Sequence, residues 1–145
     1  MNTKKGFTLI EILVSVSLLS VLSYVAVLNL KEFYNPLDTA SIQIQSHYKL
    51  VRSSAIANTK AYLYQPLSDT QIQISSRETC NSGSWTIDPT LALTLIDGAV
   101  LNSTEWFVCI NSRGFPDANV VFQLDDQDGK TKNIEIFLGG GIEES

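Results

Sequence analysis

The sequence predicts an α+β fold, in which a long N-terminal helix is followed by an antiparallel β-sheet. Three observations indicate this fold. An apolar run fills residues 7–30, a helical repeat of apolar residues follows to about residue 60, and short alternating runs separated by turn residues occupy the rest. The chain has 145 residues, the size of one domain, and contains no linker long enough to mark a second globular domain.

The apolar run is long enough to cross a membrane. Its 24 residues, 7–30, make a helix of about 36 Å, whereas the hydrocarbon core of a bilayer is about 30 Å thick. Lys4 and Lys5 precede the run and no cluster of positive charge follows it. The positive-inside rule therefore predicts a cytoplasmic N-terminus and a C-terminal domain on the outer, oxidising side of the membrane, which in a bacterium is the periplasm or beyond.

The second part of the long helix is predicted to be amphipathic. Asn35 and Pro36 suit an N-cap and a first helical residue, so the helix is expected to bend or restart there. Apolar or small residues then recur at intervals of four, four, three and four, which places them on one helix face. They are Ala40, Ile44, Tyr48, Val51 and Ala55. His47, the single histidine, has no base or nucleophile near it in sequence and is expected to be solvated or to cap a helix.

After Lys60 the apolar residues alternate, which is the period of β-strands. Turn residues separate the runs, and the short spacing leaves no room for crossover helices, so an antiparallel sheet is predicted. The predicted strands are 61–65, 70–75, 91–96, 105–110, 119–124 and 133–138. The glycines at 139–141, followed by the acidic tail IEES, are expected to form a flexible end.

Charge and motifs exclude several function classes. The net charge of −5 and the pI of about 4.7 argue against sequence-independent nucleic-acid binding, which needs clustered cations. The acidic stretch DDQDGK at 125–130 invites a calcium site, but Leu124 stands where an EF-hand needs its first ligand, so a hairpin turn is predicted. No nucleophile motif, phosphate-binding loop or histidine-rich metal set is present, which predicts no enzyme, no cofactor and no metal.

Glu11 interrupts the apolar run near its start. A charged side chain at the centre of a membrane helix costs about 2.5–3.5 kcal/mol, so such a residue is a functional hypothesis by default. Three plainer interpretations compete with it. The segment resembles a secretory signal cleaved after Ser23, with Val21 two residues before it; it could equally be a plain single-span anchor, and Glu11 a polar residue tolerated near a helix end.

The stretch GFTLIE at 6–11 resembles the class III signal of type IV prepilins and type II secretion pseudopilins. Such a signal has a short basic leader ending in glycine, then phenylalanine, then glutamate at the fifth mature position. The resemblance implies that prepilin peptidase cleaves between Gly6 and Phe7 and methylates the new amine of Phe7. It divides the chain into a leader at 1–6, a membrane and assembly helix at 7–30, and a soluble pilin-like domain at 31–145.

The same resemblance gives Glu11 a partner. In the family this glutamate is held to contact the N-terminal amine of a neighbouring subunit as the helices bundle into a filament. The implied partners are prepilin peptidase, other pilins and inner-membrane lipid, and the implied destination is a pilus or pseudopilus at the cell surface. One position departs from the pattern, because Leu28 stands where many pilins have a proline that kinks the helix.

Three further fragments resemble the GspH/FimT branch of minor pilins and pseudopilins. They are LVRSSAIANTKAYLY at 50–64, GSW at 83–85 and FVCINSRGF at 107–115. A generic minor pilin is the alternative, and the machine served, whether pilus, type II secretion or competence, stays open. Some FimT-like proteins bind DNA through basic residues toward the C-terminus. The nearest candidates for that alternative function are Arg113, Lys130 and Lys132, although the tail is acidic.

Cys80 and Cys109 are the two cysteines of the chain. Outside the membrane they are expected to form a disulfide that closes a loop of about 30 residues and contributes about 3–4 kcal/mol on the chain-entropy estimate. The alternative is two buried thiols whose positions do not permit a bond.

Overall fold

The computed structural model describes residues 8–30 and 35–145. It contains helix α1, Leu9–Leu30, and helix α2, Pro36–Asn58. α2 begins at the proline that was predicted as its first residue. It ends just before Thr59, whose φ of 53° is left-handed and cannot continue a right-handed helix. The chain forms two compact units, Met1–Asn35 and Pro36–Ser145.

The second unit combines α2 with two antiparallel sheets. The first sheet has the order β3-β2-β1-β6, with β4 also paired to β2, and the second has the order β5-β7-β8-β9. In the described residues the nine strands are β1 Ala61–Pro66, β2 Gln71–Arg77, β3 Thr86–Ile87, β4 Leu93–Thr94, β5 Ala99–Leu101, β6 Val108–Ile110, β7 Val120–Asp126, β8 Thr131–Ile136 and β9 Ile142–Glu144. The predicted α+β class is confirmed, but the strands form two sheets where one was expected.

The predicted strand at 91–96 is largely wrong. Pro89–Leu91 forms a short 3₁₀ helix, and only Leu93–Thr94 pairs as a strand. The cause is local, because the Asp88 side chain accepts a hydrogen bond from the Thr90 amide at 3.1 Å and a proline follows the cap. This cap and proline favour a helical turn over the extended backbone that the apolar residues alone suggest.

The predicted flexible end is also wrong. Residues Ile142–Glu144 form β9, which pairs with β8 along the edge of the second sheet. Gly140, at φ 80°, supplies the left-handed residue of the connecting turn, and its amide donates to the Phe137 carbonyl at 2.7 Å. Glycines that look like a loose tail in the sequence therefore form a tight turn between two paired strands.

The core lies between α2 and the two sheets. All five residues of the predicted apolar helix face are buried, so that prediction is confirmed. Side chains of both sheets meet them, and Trp106 joins the sheets through stacked rings. Its ring centroid lies 6.1 Å from that of Tyr64 on β1 and 4.1 Å from that of Phe122 on β7.

The acidic stretch at 125–130 forms the predicted hairpin turn between β7 and β8. The Asp126 Oδ1 accepts hydrogen bonds from the amides of Asp128, at 2.9 Å, and Lys130, at 2.8 Å. Gly129 completes the turn with φ 77°. In the part of the chain that the structure describes, no group of three or more His, Cys, Asp or Glu side chains could hold a metal ion.

Candidate functional site

Glu11 caps the first turn of α1. The Thr8 amide and hydroxyl donate to Glu11 Oε2 at 2.8 and 3.0 Å, and the Glu11 amide donates back to the Thr8 hydroxyl at 3.3 Å. This reciprocal pair is a capping box, which satisfies donors that a helix start otherwise leaves without partners. The acid in the apolar segment thus has a local role that the sequence analysis did not assign, although Thr8 and Glu11 stand at the required spacing.

Capping uses one oxygen of the Glu11 carboxylate. Among the described residues, Oε1 makes no hydrogen bond, and the side chain is exposed. A second cation or donor can therefore reach this carboxylate without displacing the cap. The predicted cleavage residues Gly6 and Phe7 lie outside the described residues, so the cleavage and methylation assignments stay predictions.

The rest of α1 presents an apolar surface. Leu9–Ala26 has a mean hydropathy of 2.1, and it is the one helix in the described parts of the chain that is long and apolar enough to span a membrane. Ser15, Ser17 and Ser20 donate to carbonyls of their own helix at 2.7–2.9 Å, so their hydroxyls need no external partner. The helix continues to Leu30, so its backbone is helical through Leu28, where the family pattern has a proline.

The disulfide is present in the structure. Cys80, in the loop after β2, is bonded to Cys109 on β6, and their Cα atoms are 5.9 Å apart. The bond ties the 79–85 loop to the far strand of the first sheet. The Cys109 amide also donates to the Asp117 side chain at 2.9 Å, so both sides of this strand are held in place.

The three candidate DNA-contact residues do not share one surface. Lys132 forms ion pairs with Asp38, near the start of α2, and with Glu144 on β9 at 3.2 Å. Both hydrogen bonds raise the pKa of Lys132, the bond to Asp38 more strongly. Arg113 lies elsewhere, because it precedes Gly114, whose carbonyl accepts from Arg52. Arg52 is fourteen residues beyond Asp38 on α2, or about 21 Å along the helix axis. Lys130 is exposed at the β7–β8 turn.

Glu144 also contacts the buried Ser41 of α2, whose hydroxyl donates to its carboxylate. That hydrogen bond is the main cause that lowers the pKa of Glu144. Lys132, Asp38, Ser41 and Glu144 therefore form one polar network that attaches the C-terminal strand to the start of α2. The charge of Lys132 is compensated within this network, and its role as a DNA contact stays a prediction.

His47 is half-buried, and both ring nitrogens have partners. Nε2 lies 2.7 Å from the carbonyl of Leu91, the last residue of the 3₁₀ helix, and Nδ1 lies 3.2 Å from the Tyr64 hydroxyl. Burial lowers the pKa of His47, which favours the neutral ring. The contact with the end of the 3₁₀ helix agrees with the expected solvated or cap-like histidine, and the ring is half-buried.

Arg52 was not singled out by sequence reasoning, and it connects three segments of the domain. Its Nε donates to the Gly114 carbonyl at 2.8 Å, and its Nη1 donates to the Gly140 carbonyl at 2.9 Å. Its guanidinium also lies 6.0 Å from the Phe115 ring centroid. Arg52 belongs to the fragment at 50–64 and Gly114 to the fragment at 107–115, so two stretches that resemble GspH/FimT proteins are in contact in the fold.

One family model matches the N-terminal segment. Residues 1–26 match the prokaryotic N-terminal methylation motif. The match supports a type IV prepilin-like signal, and it includes Gly6, Phe7 and the Glu11 cap. The methylation motif implies processing by prepilin peptidase and assembly with other pilins. No curated protein and no solved structure matches the chain.

Proposed function

We propose that the chain is a minor pilin or pseudopilin, a structural subunit of a type IV pilus or type II secretion-like pseudopilus. The observation that carries this proposal is the N-terminal methylation motif at 1–26, which contains the membrane-length apolar segment Leu9–Ala26. In this proposal residues 1–6 are the leader, 7–30 anchor and assemble the subunit, and 31–145 form the domain outside the inner membrane. The disulfide suits that oxidising side.

The GspH/FimT branch is part of this proposal. Its support is the contact between Arg52 and Gly114, because it brings together two fragments on which the resemblance was based. The α+β domain, in which α2 packs on antiparallel sheets, agrees with a pilin-like arrangement.

The proposed cleavage is tested on the chain expressed in a bacterium with its prepilin peptidase. Mass spectrometry of the purified protein should find Phe7 as the first residue, carrying one methyl group on its amine. A Gly6→Ala variant is the matched control and should keep the leader, so that its first residue is Met1, or Asn2 where the initiator methionine is removed. An intact leader in the wild type, or a cut after Ser23, would refute the proposal.

Glu11 needs an experiment that separates its two roles. Glu11→Gln keeps a capping side chain but removes the charge, whereas Glu11→Ala removes both. If the carboxylate pairs with the terminal amine of a neighbouring subunit, both variants should still insert in the membrane. The amount of each variant recovered in the sheared-filament fraction should fall about tenfold or more. Normal recovery of Glu11→Gln would show that the residue acts as a helix cap alone.

A further inference from the structure

The two ends of the Pro36–Ser145 unit differ in charge. α2 has 23 residues, which separates its ends by about 34 Å. We call the end at Pro36 the start end and the end at Asn58 the far end. Gly98 lies against Pro36 and precedes Ala99, which pairs with Asp126, so the β7–β8 turn belongs to the start end. Ala61 follows the helix and pairs with Arg77, so that arginine belongs to the far end.

The start end carries a projecting acidic tip. In the β7–β8 turn, Gln127 and Asp128 are exposed, and a side chain placed at Gly129 would meet nothing within 4 Å. Asp126 uses one carboxylate oxygen to hold the turn, and Asp128 and Lys130 are both exposed beside it. Asp97 and Asp126 line a cavity of about 390 Å³ beside this tip.

The far end carries a cationic groove. A cavity of about 400 Å³ is lined by Lys60, Arg77, Gly83 and the carboxylate Glu78, among others. Arg77 is held in place by Trp85, because its guanidinium carbon lies 3.9 Å from the ring centroid. Its Nε is buried and has no hydrogen-bond partner among the described residues. Both ion pairs in the described part of the chain belong to Lys132, so Lys60 and Arg77 pair with no carboxylate there.

Acidic side chains outnumber basic ones on this domain. Residues 36–145 contain thirteen Asp and Glu side chains but seven Lys and Arg. Two of those seven lie together in one groove and lack a carboxylate partner, while a projecting acidic turn lies at the opposite end. An ionised guanidinium held against an aromatic ring is a strong donor to carboxylate oxygens.

We propose that the acidic tip of one copy of this chain docks in the cationic groove of a second copy, with Asp128 facing Lys60 and Arg77. The two surfaces are different parts of the same molecule, so the contact is heterologous and does not close on itself. Repetition of such a contact gives an open chain of subunits. The inference rests on the proposed function, since an open chain is the arrangement that a filament requires.

The test uses the full-length chain in detergent micelles, as an equal mixture of unlabelled and heavy-isotope-labelled copies. A zero-length carbodiimide reagent joins a lysine amine to a carboxylate that it contacts. Mixed-isotope peptides should link Lys60 to Asp128 or Asp126, and their yield should fall as salt rises, because exposed charges are screened. Absence of mixed-isotope links at Lys60 would overturn the proposal.

Charge-reversal variants locate the contact by sedimentation. Lys60→Glu, Arg77→Glu and Asp128→Lys should each weaken self-association about tenfold or more. Lys49→Glu, on the exposed face of α2, makes the same change in net charge as Arg77→Glu and should leave association unchanged. Lys60→Glu tests the groove without disturbing the contact of Arg77 with Trp85, since Lys60 is exposed and has no ring contact. Its result therefore does not depend on whether Arg77→Glu folds.

Mixing the variants provides the decisive control. The Arg77→Glu copy keeps the tip and the Asp128→Lys copy keeps the groove, so the mixture should regain association that neither shows alone. Association that survives Lys60→Glu and Asp128→Lys would arise elsewhere, for example between α1 helices, and would refute the docking. Cleavage after Gly6 is measured independently, so failure of the docking and failure of the proposed function remain distinguishable.

Discussion

Tyr48 and Tyr64 are both buried, but their hydroxyl groups have different surroundings. The Tyr64 hydroxyl contacts His47 Nδ1, whereas the Tyr48 hydroxyl has no hydrogen-bond partner in the described residues. Burial raises the pKa of Tyr48 to about 12 and also raises that of Tyr64, so both phenols are neutral at ordinary pH. The rings meet edge to face, with centroids 5.8 Å apart.

This difference predicts opposite effects of removing the two hydroxyls. Tyr48→Phe deletes an unsatisfied buried group and should raise the free energy of unfolding by about 0–1.5 kcal/mol. Tyr64→Phe leaves His47 Nδ1 without its partner and should lower it by about 1–2 kcal/mol. Urea unfolding of the full chain in detergent, followed by tryptophan fluorescence, measures both. A larger loss for Tyr48→Phe than for Tyr64→Phe would contradict this account.

At the residue scale, the sequence predicted what depends on neighbours in the chain. The capping box follows from the spacing of Thr8 and Glu11 in the sequence, but it was not predicted, because the charge of Glu11 within an apolar segment indicated a role in assembly instead. The contact of His47 with Leu91 could not be predicted in the same way. It joins residues 44 positions apart, and it exists because α2 packs beside the 3₁₀ helix.

At the element scale, Arg52 holds two turns against the end of α2. Its guanidinium fills the space beside Gly114 and Gly140, where an added Cβ would lie 2.8 Å from Ile56 and from Arg52, respectively. Both glycines also have left-handed φ values, 81° and 80°. The two turns therefore need glycine for backbone conformation and for space, and the helix supplies the donors that their carbonyls accept.

Arg52→Met should detach the turn before β9. It keeps most of the side-chain length but removes both hydrogen bonds, so the free energy of unfolding should fall by about 2–4 kcal/mol. Amide hydrogen exchange in 139–145 should become faster as well. Arg113→Met, which changes an exposed arginine in the neighbouring loop, is the control and should shift stability by less than about 0.5 kcal/mol. Unchanged protection of β9 in Arg52→Met would show that strand pairing alone holds it.

The sequence predicted the elements that are long enough to show a helical or alternating pattern of apolar residues. Five buried positions define the face of α2, and the hairpin of β7 and β8 follows from alternation around an Asp-Gly turn. β3, β5 and β9 have only two or three residues each, too few to show alternation. They form because neighbouring strands offer free edges. Which strands are neighbours depends on the tertiary structure and cannot be seen in the local sequence. Two sheets form where one was predicted because β6 ends the first sheet and does not pair with β7, which begins a separate set of pairings with β5 and β8.

At the scale of the whole molecule, the disulfide joins distant parts of the first sheet. Cys80 and Cys109 are 29 positions apart, and the loop between them includes β3, β4, β5 and the 3₁₀ helix. A cross-link that closes a loop of this length substantially lowers the conformational entropy of the unfolded chain. It also anchors the 79–85 loop, which carries Trp85 and one wall of the cationic groove.

Removing the bond should therefore affect stability and docking together. A Cys80→Ala, Cys109→Ala double variant, which leaves no free thiol, should lose about 3–4 kcal/mol of unfolding free energy. Domains of this size are stable by about 5–15 kcal/mol, so the variant should still fold. If the 79–85 loop then loosens, Trp85 should no longer hold Arg77, and self-association should weaken although every charge remains. Reductant should lower the urea midpoint of the wild type but not that of the double variant. A double variant as stable as the wild type would mean that the two sheets and α2 already restrain this loop without the covalent link.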